Sequence, residues 1–278
     1  MVRTRLVATI FILAVAAWAN PQSDSARPSP HFQSALVFEQ RGELDKAIQE
    51  YEEAIKDMPN HADSHYNLAR LLAAKRDYES AINQYREALR IKPLDPDFHN
   101  NLGLAFKNKG DLDSAANEYR EALKLNPNQA DAHNNLGNLF YQKKDLKSAA
   151  TEYRSAIQAD PSNTASHMNL GSTLDDSGQT EEAITEYKES IRLDPNNAQA
   201  HYNLAICLAK KKDGVGALAE LRVSETLEPD WALPHIGLVT LLMKPDPKGA
   251  LSECHIADKL TGDPQLHELC EKLATKVK

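Results

Sequence analysis

From residue 28 onward the apolar and small residues form two alternating helical stripes that recur every 34 residues. In the stretch Ala130–Asn163, ADAHNNLGNLFYQKKDLKSAATEYRSAIQADPSN, let Ala130 be position 1. Positions 4, 7, 8 and 11 (His133, Leu136, Gly137, Phe140) then follow the i, i+3, i+4, i+7 spacing of one helical face. Positions 20, 24 and 27 (Ala149, Tyr153, Ala156) do the same for a second helix. A short polar turn separates the two, as at Gly110-Asp111-Leu112, where Asp111 is placed to cap the following helix. An X-Pro bond such as Asp160-Pro161 closes the unit, because the residue before proline is pushed out of helical angles. The same frame fits units near 28–61, 62–95, 96–129, 130–163, 164–197, 198–231 and 232–262.

Several positions are nearly constant. Position 4 is His31, His65, His99, His133, His167, His201 and His235; position 24 is Tyr51, Tyr85, Tyr119, Tyr153 and Tyr187, then Leu221. Position 8 is small (Ala69, Gly103, Gly137, Gly171, Ala205), and so is position 20 from Ala47 to Ala217. Paired helices approach to about 8–10 Å only where side chains permit it, so these small residues mark the helix contacts. The seventh unit is one residue short and turns through Lys244-Pro245-Asp246-Pro247. After Pro264, a helix over 264–278 with Leu266, Leu269 and Leu273 on one face has the polar back that a solenoid's last unit needs as a cap.

Leu at position 7, Gly or Ala at 8, an aromatic at 11 (Phe106, Phe140), Ala at 20, Tyr at 24, Ala at 27 and Pro at 32 resemble the tetratricopeptide repeat. The resemblance implies an all-α, right-handed α-solenoid of about seven helix–turn–helix units over 29–263, closed by the capping helix. It also implies a scaffold for protein recognition rather than an enzyme. The variant with His at 4 and Asn at 6 is similar to the repeats of O-linked N-acetylglucosamine transferases, though only the repeats are matched and no catalytic domain.

Residues 1–19, MVRTRLVATIFILAVAAWA, place two arginines before an apolar run that ends in Ala17-Trp18-Ala19. This is the pattern of a secretory signal peptide cut after Ala19. The apolar run of Leu6–Ala19 is shorter than the roughly 20 residues a membrane-spanning helix needs, so a membrane enters only if the segment stays uncleaved. The polar, proline-broken residues 20–28 read as a flexible linker. The expected location is therefore periplasmic or secreted, where disulfides persist. Cys254 and Cys270 fall on the last repeat helix and the cap and could be bonded there or be two small buried hydrophobes; Cys207 reads as core.

The net charge of −8 comes with no basic stripe, which argues against nucleic acid. The sequence contains no G-x-S-x-G, G-x-x-x-x-G-K-[ST], H-E-x-x-H or G-x-G-x-x-G, so no cofactor or catalytic loop is expected. The histidines lie one repeat apart on separate helices, too far apart to converge on one metal ion, so they read as packing residues.

Candidate function lies on the other face of the first helix. At 100° per residue, position 6 falls about 150° from the buried stripe. It is occupied by Asn67, Asn101, Asn135, Asn169 and Asn203, although helix propensity would favour Ala or Glu there. An amide offers both a donor and an acceptor to an extended peptide backbone, and the transferase resemblance implies such a ladder. The alternative is that these amides bond neighbouring helices. Beside the ladder, position 5 varies (Tyr66, Asn100, Asn134, Met168, Tyr202) and position 2 carries Asp63, Asp97 and Asp131. Over positions 2, 6, 9 and 13 of the middle five repeats, four Asp against Arg70 and Lys210 give −4 + 2 = −2, which suits a neutral to mildly basic protein or peptide segment. The competing expectation is a structural or assembly subunit of an envelope complex, or a self-associating solenoid, using other surfaces.

Overall fold

The computed structural model describes residues 29–277, and the signal and linker segments expected before residue 29 lie outside them. Among the described residues there are fifteen α-helices and no strands. They come in pairs: α1 (Pro30–Gln40) with α2 (Leu44–Asp57), α3 (Ala62–Ala74) with α4 (Tyr78–Ile91), and α5 (Pro96–Lys109) with α6 (Leu112–Leu125). Then follow α7 (Ala130–Gln142) with α8 (Leu146–Ala159), α9 (Thr164–Asp176) with α10 (Thr180–Leu193), and α11 (Ala198–Lys210) with α12 (Gly214–Leu227). The last pair is α13 (Ala232–Leu242) with α14 (Pro247–Thr261), and α15 (Pro264–Val277) packs on α14. Each odd-numbered A helix packs on its own B helix, and each B helix packs on the next A helix. The result is a one-dimensional stack in which a repeat touches its neighbours.

Local chemistry sets the frame. Asp77, Asp111, Asp145, Asp213 and Asp246 each accept the backbone N–H three residues on and so start the B helices. The chain reverses between helices through one left-handed residue, which is Gly42, Gly110 or Gly178 in three repeats. In three more it is Arg76, Lys144 or Lys212, at φ of 64°, 61° and 65°, and the proline-containing turn of the seventh repeat uses none.

In α5–α6, α7–α8 and α9–α10 the tyrosine of the B helix lies across the glycine of the A helix. A methyl group on Gly137 would sit 2.8 Å from Tyr153 Cε1, and Gly103 and Gly171 are equally close to Tyr119 and Tyr187. The glycines therefore serve ring packing rather than turns. Tyr51, Tyr85, Tyr119 and Tyr153 are the largest fully buried side chains. At the end of the stack Leu266 and Leu273 of α15 are buried against the last repeat, as a cap requires. The Sγ atoms of Cys254 and Cys270 lie at bonding distance, 2.10 Å, with their Cα atoms 5.6 Å apart. Cys207 is wholly buried, and burial pushes its thiol up to about 12, so it stays protonated core. Among the described residues no helix is long and apolar enough to cross a membrane.

Candidate functional site

The stack brings the position-6 asparagines of adjacent A helices into one row, each half-buried. Their amide nitrogens are spent inside the protein. Asn101 Nδ2 donates to Tyr66 Oη (3.0 Å) and to the Asp97 carbonyl (2.9 Å). Asn135 Nδ2 donates to Asn100 Oδ1 (3.1 Å), and Asn169 Nδ2 donates to Asn134 Oδ1 (3.0 Å) and Asn138 Oδ1 (3.2 Å). Positions 5 and 6 thus form rungs that tie α5, α7 and α9 each to the A helix before it. The single-helix wheel leaves these amides in solvent because it omits the neighbouring A helix. Among the described residues, the Oδ1 atoms of Asn101, Asn135 and Asn169 have no donor within the protein, so what this face still offers is a row of acceptors.

The flanking residues sort by repeat. Tyr66 stacks on Phe98 at 4.6 Å, and Asn100 is buried under the rung it accepts. At the last complete rung position, Tyr202 packs against Trp231 at 4.9 Å, and Asn203 accepts from Gln199 Nε2 at 2.9 Å. Asn67 stands half-buried at the other end of the row. Asp63 is neutralised by Lys92 (2.6 Å), Arg70 pairs with Glu39, and Lys210 pairs with Asp175 (2.6 Å). Among the described residues, Asp97 accepts only the Gln129 amide (2.7 Å), Asp176 the Tyr141 hydroxyl (2.7 Å), and Asp131 stands exposed without a partner. Bonding to Asp176 raises the Tyr141 phenol to about 12 and keeps it a donor. The face is therefore rich in acceptors and short of free cations.

The position-4 histidines do pack, but each also makes a bond that the sequence pattern left unassigned. Nδ1 of His99, His133, His167 and His201 lies 2.6–2.7 Å from the carboxylate at position 23, namely Glu118, Glu152, Glu186 and Glu220. His31 does the same with Glu50 and His235 with Glu253, while His65 meets Gln84. Nε2 faces the proline carbonyl that closes the preceding repeat, from Pro59 to Pro229, at 3.0–3.3 Å. Around His235, Glu225 also approaches (3.9 Å), and Glu225, His235 and Glu253 are grouped closely enough to suggest a metal site. Arg222 already bonds both Glu225 and Glu253, so the cluster is complete as an ion-pair network. Near the end of the stack, His267 pairs with Asp258 (2.9 Å).

A tetratricopeptide-repeat family model matches residues 100–164, and a second, described as TPR repeat, matches 35–76, 69–110 and 176–212. This is a tetratricopeptide-repeat protein. No curated protein matches it significantly. Among solved structures it is similar to that of pilF from Pseudomonas aeruginosa, at 22% identity and a TM-score of 0.68, over 76% of this chain and 96% of that one. It is also similar to YrrB, described as a TPR protein with an unusual peptide-binding site (23% identity, TM-score 0.55, 66% and 95% covered). MamA from Desulfovibrio magneticus RS-1 shows 25% identity and a TM-score of 0.55, with 60% and 95% covered.

In this tetratricopeptide array the bonding role of position 23 was within reach of the sequence. A His and a Glu recur 19 residues apart in every full repeat but one, and two helices joined by a short turn bring such positions together. The second donor count of the asparagines was not, because it depends on which A helix lies next to which.

Proposed function

We propose that this protein is an exported, non-catalytic scaffold that holds an extended segment of another protein along the face built by its A helices. The observation that carries this reading is the row of free carbonyl oxygens on Asn101, Asn135 and Asn169, rigidly aimed because their amide nitrogens are tied down. An extended chain presents backbone N–H groups with no internal partner, and an array of fixed acceptors satisfies them without regard to sequence. YrrB, a neighbour of the same fold, is described as having a peptide-binding site, which supports a peptide as the class of partner. Export is supported by the signal-like segment before residue 20 and by the bonding distance between Cys254 and Cys270. The mode of binding we propose, in line with the sequence resemblance to the transferase repeats, is main chain held by the asparagines and side chains read by position 5 and its flanks.

The test uses peptides selected on the wild-type protein from a displayed random library. Each lost hydrogen bond is worth about 0.5–1.5 kcal/mol, so N101A/N135A/N169A removes about 1.5–4.5 kcal/mol and weakens binding tenfold or more. An unchanged Kd for a variant that keeps its helical circular dichroism would rule the ladder out.

A further inference from the structure

The A-helix face is not uniform along the stack. Position 2 runs from Asp63, Asp97 and Asp131 through Ala165 and Gln199 to Leu233. Position 6 is asparagine through Asn203 and then becomes Gly237. The missing side chain opens a groove of 230 Å³ between α11 and α13, floored by Leu221 and walled by Tyr202, Ile206, Leu233 and Ile236. A Cβ at Gly237 would come within 2.9 Å of Leu221 Cδ1 and push that side chain aside, changing the groove floor. The volume lies below the roughly 300–1,000 Å³ of small-molecule sites and is of side-chain scale. Leu233 at its rim is 44% exposed, which leaves apolar surface uncovered.

The charge changes along the same axis. On α5, α7 and α9, among the described residues, Asp97, Asp131 and Asp176 lack a cation partner and Lys107 lacks an anion partner, so the unpaired charge is −3 + 1 = −2. The other cations that reach this face, Arg70, Lys92 and Lys210, are already neutralised. Acceptors and carboxylates thus lead directly into an apolar groove, and a single bound chain would meet both.

We propose that this face takes a bipartite extended segment, with large aliphatic or aromatic side chains seated between α11 and α13 and a lysine or arginine over Asp97 and Asp131. The proposal rests on the groove reading above and adds the chemistry of the partner. Leu233 and Asp131 are three repeats apart, about 24–30 Å at roughly 8–10 Å per helix. At about 3.3 Å per extended residue, the apolar and basic parts of the segment are separated by about seven to nine residues.

The experiment measures fluorescence anisotropy of labelled synthetic peptides against the full mature chain. The parent peptide carries Leu-Phe, a spacer of about eight Ser, Asn and Thr residues, and Lys-Lys; relatives replace Leu-Phe by Ser-Ser, replace Lys-Lys by Glu-Glu, or cut the spacer to about three. The parent is expected to bind at least tenfold tighter than each relative. Ile236→Asp is expected to abolish the preference for Leu-Phe alone, and D97N/D131N the preference for Lys over Glu alone, with both variants retaining wild-type circular dichroism. Equal affinity for all four peptides, lost in N101A/N135A/N169A, overturns the bipartite proposal and leaves the groove reading standing. Equal affinity that survives in N101A/N135A/N169A, or no binding of any peptide, overturns both. A wild-type protein that dimerises on sedimentation, with Ile236→Asp monomeric and no preference for the Leu-Phe peptides, assigns the apolar groove to a second copy and overturns the proposal.

Discussion

The paired acceptors around His99, His133 and His235 give the array a dependence on pH that one pair of substitutions isolates. In six repeats the imidazole sits between a proline carbonyl and a side-chain oxygen at position 23. A neutral ring donates from one nitrogen only, so at His99, His133 and His235 the imidazolium is the form that satisfies both acceptors. The hydrogen bond that His99 donates to Glu118 holds the imidazole above its ordinary value, with burial opposing and the Pro93 carbonyl helping, and the bond to Glu152 does the same for His133. At His235 burial lowers the value, but bonds to Glu253 and the Pro229 carbonyl outweigh it and the net shift is upward. A folded value above the unfolded one means stability fully present below about pH 6.5 and lost as pH rises through the folded values. The array therefore melts at a lower temperature at pH 8.5 than at pH 5.5.

E118Q/E152Q tests the cause. Glutamine keeps an oxygen at the same place, as Gln84 already does for His65, and gives up only the charge. A bond to a charged group is worth about 1.5–3 kcal/mol against about 0.5–1.5 for a neutral one, so each exchange costs about 1 kcal/mol below pH 6.5. For a chain of this size about 2 kcal/mol corresponds to roughly 4–8 °C in Tm. Glutamine also rotates to donate to a neutral imidazole, so the difference between variant and wild type should shrink toward zero at pH 8.5. Thermal melts followed by circular dichroism at the two pH values decide the matter. A variant equally destabilised at both, or a wild type that melts higher at pH 8.5, would refute the reasoning.

Three further outcomes follow from single positions. The buried hydroxyl of Tyr119 has no partner because position 9 of its repeat is Leu104, whereas Tyr153 donates to Asn138 at 2.7 Å. Urea titration should thus show Tyr153→Phe destabilised by about 1 kcal/mol and Tyr119→Phe neutral or stabilised. Lys144→Gly relieves a left-handed residue at φ of 61° and should gain about 0.5–1 kcal/mol in the same assay, the flexibility of glycine in the unfolded chain offsetting part of the strain. Closing a loop of 16 residues is worth about 3 kcal/mol, so C254S/C270S should loosen the cap, with faster amide exchange in α15 and little change in α3–α7.

Much of the fold could be read from spacing alone, because a repeat states each packing position several times over. His133, Leu136, Gly137 and Phe140 defined one stripe and Ala149, Tyr153 and Ala156 the other, and Gly137 lies under the Tyr153 ring as small residues at those positions require. The site was legible in part. A helical wheel finds the face of Asn101, Asn135 and Asn169 from one helix, but how much of each amide remains free depends on Tyr66, Asn100 and Asn134 of the adjacent helix. Likewise Asp63 and Asp97 look alike in sequence, and only the approach of Lys92 to one and Gln129 to the other separates a neutralised carboxylate from an available one. Contacts between repeats, rather than within them, are what the periodic pattern leaves open.

The most direct measurement of the central claim is site-specific photocrosslinking with a display-selected peptide. Benzoylphenylalanine at Leu104, on the A-helix face beside the ladder, should capture the peptide in high yield. The same probe at Lys188, exposed on the B helix α10, should capture none. Crosslinks from Lys188 with none from Leu104 would place the partner on the other surface and contradict the account.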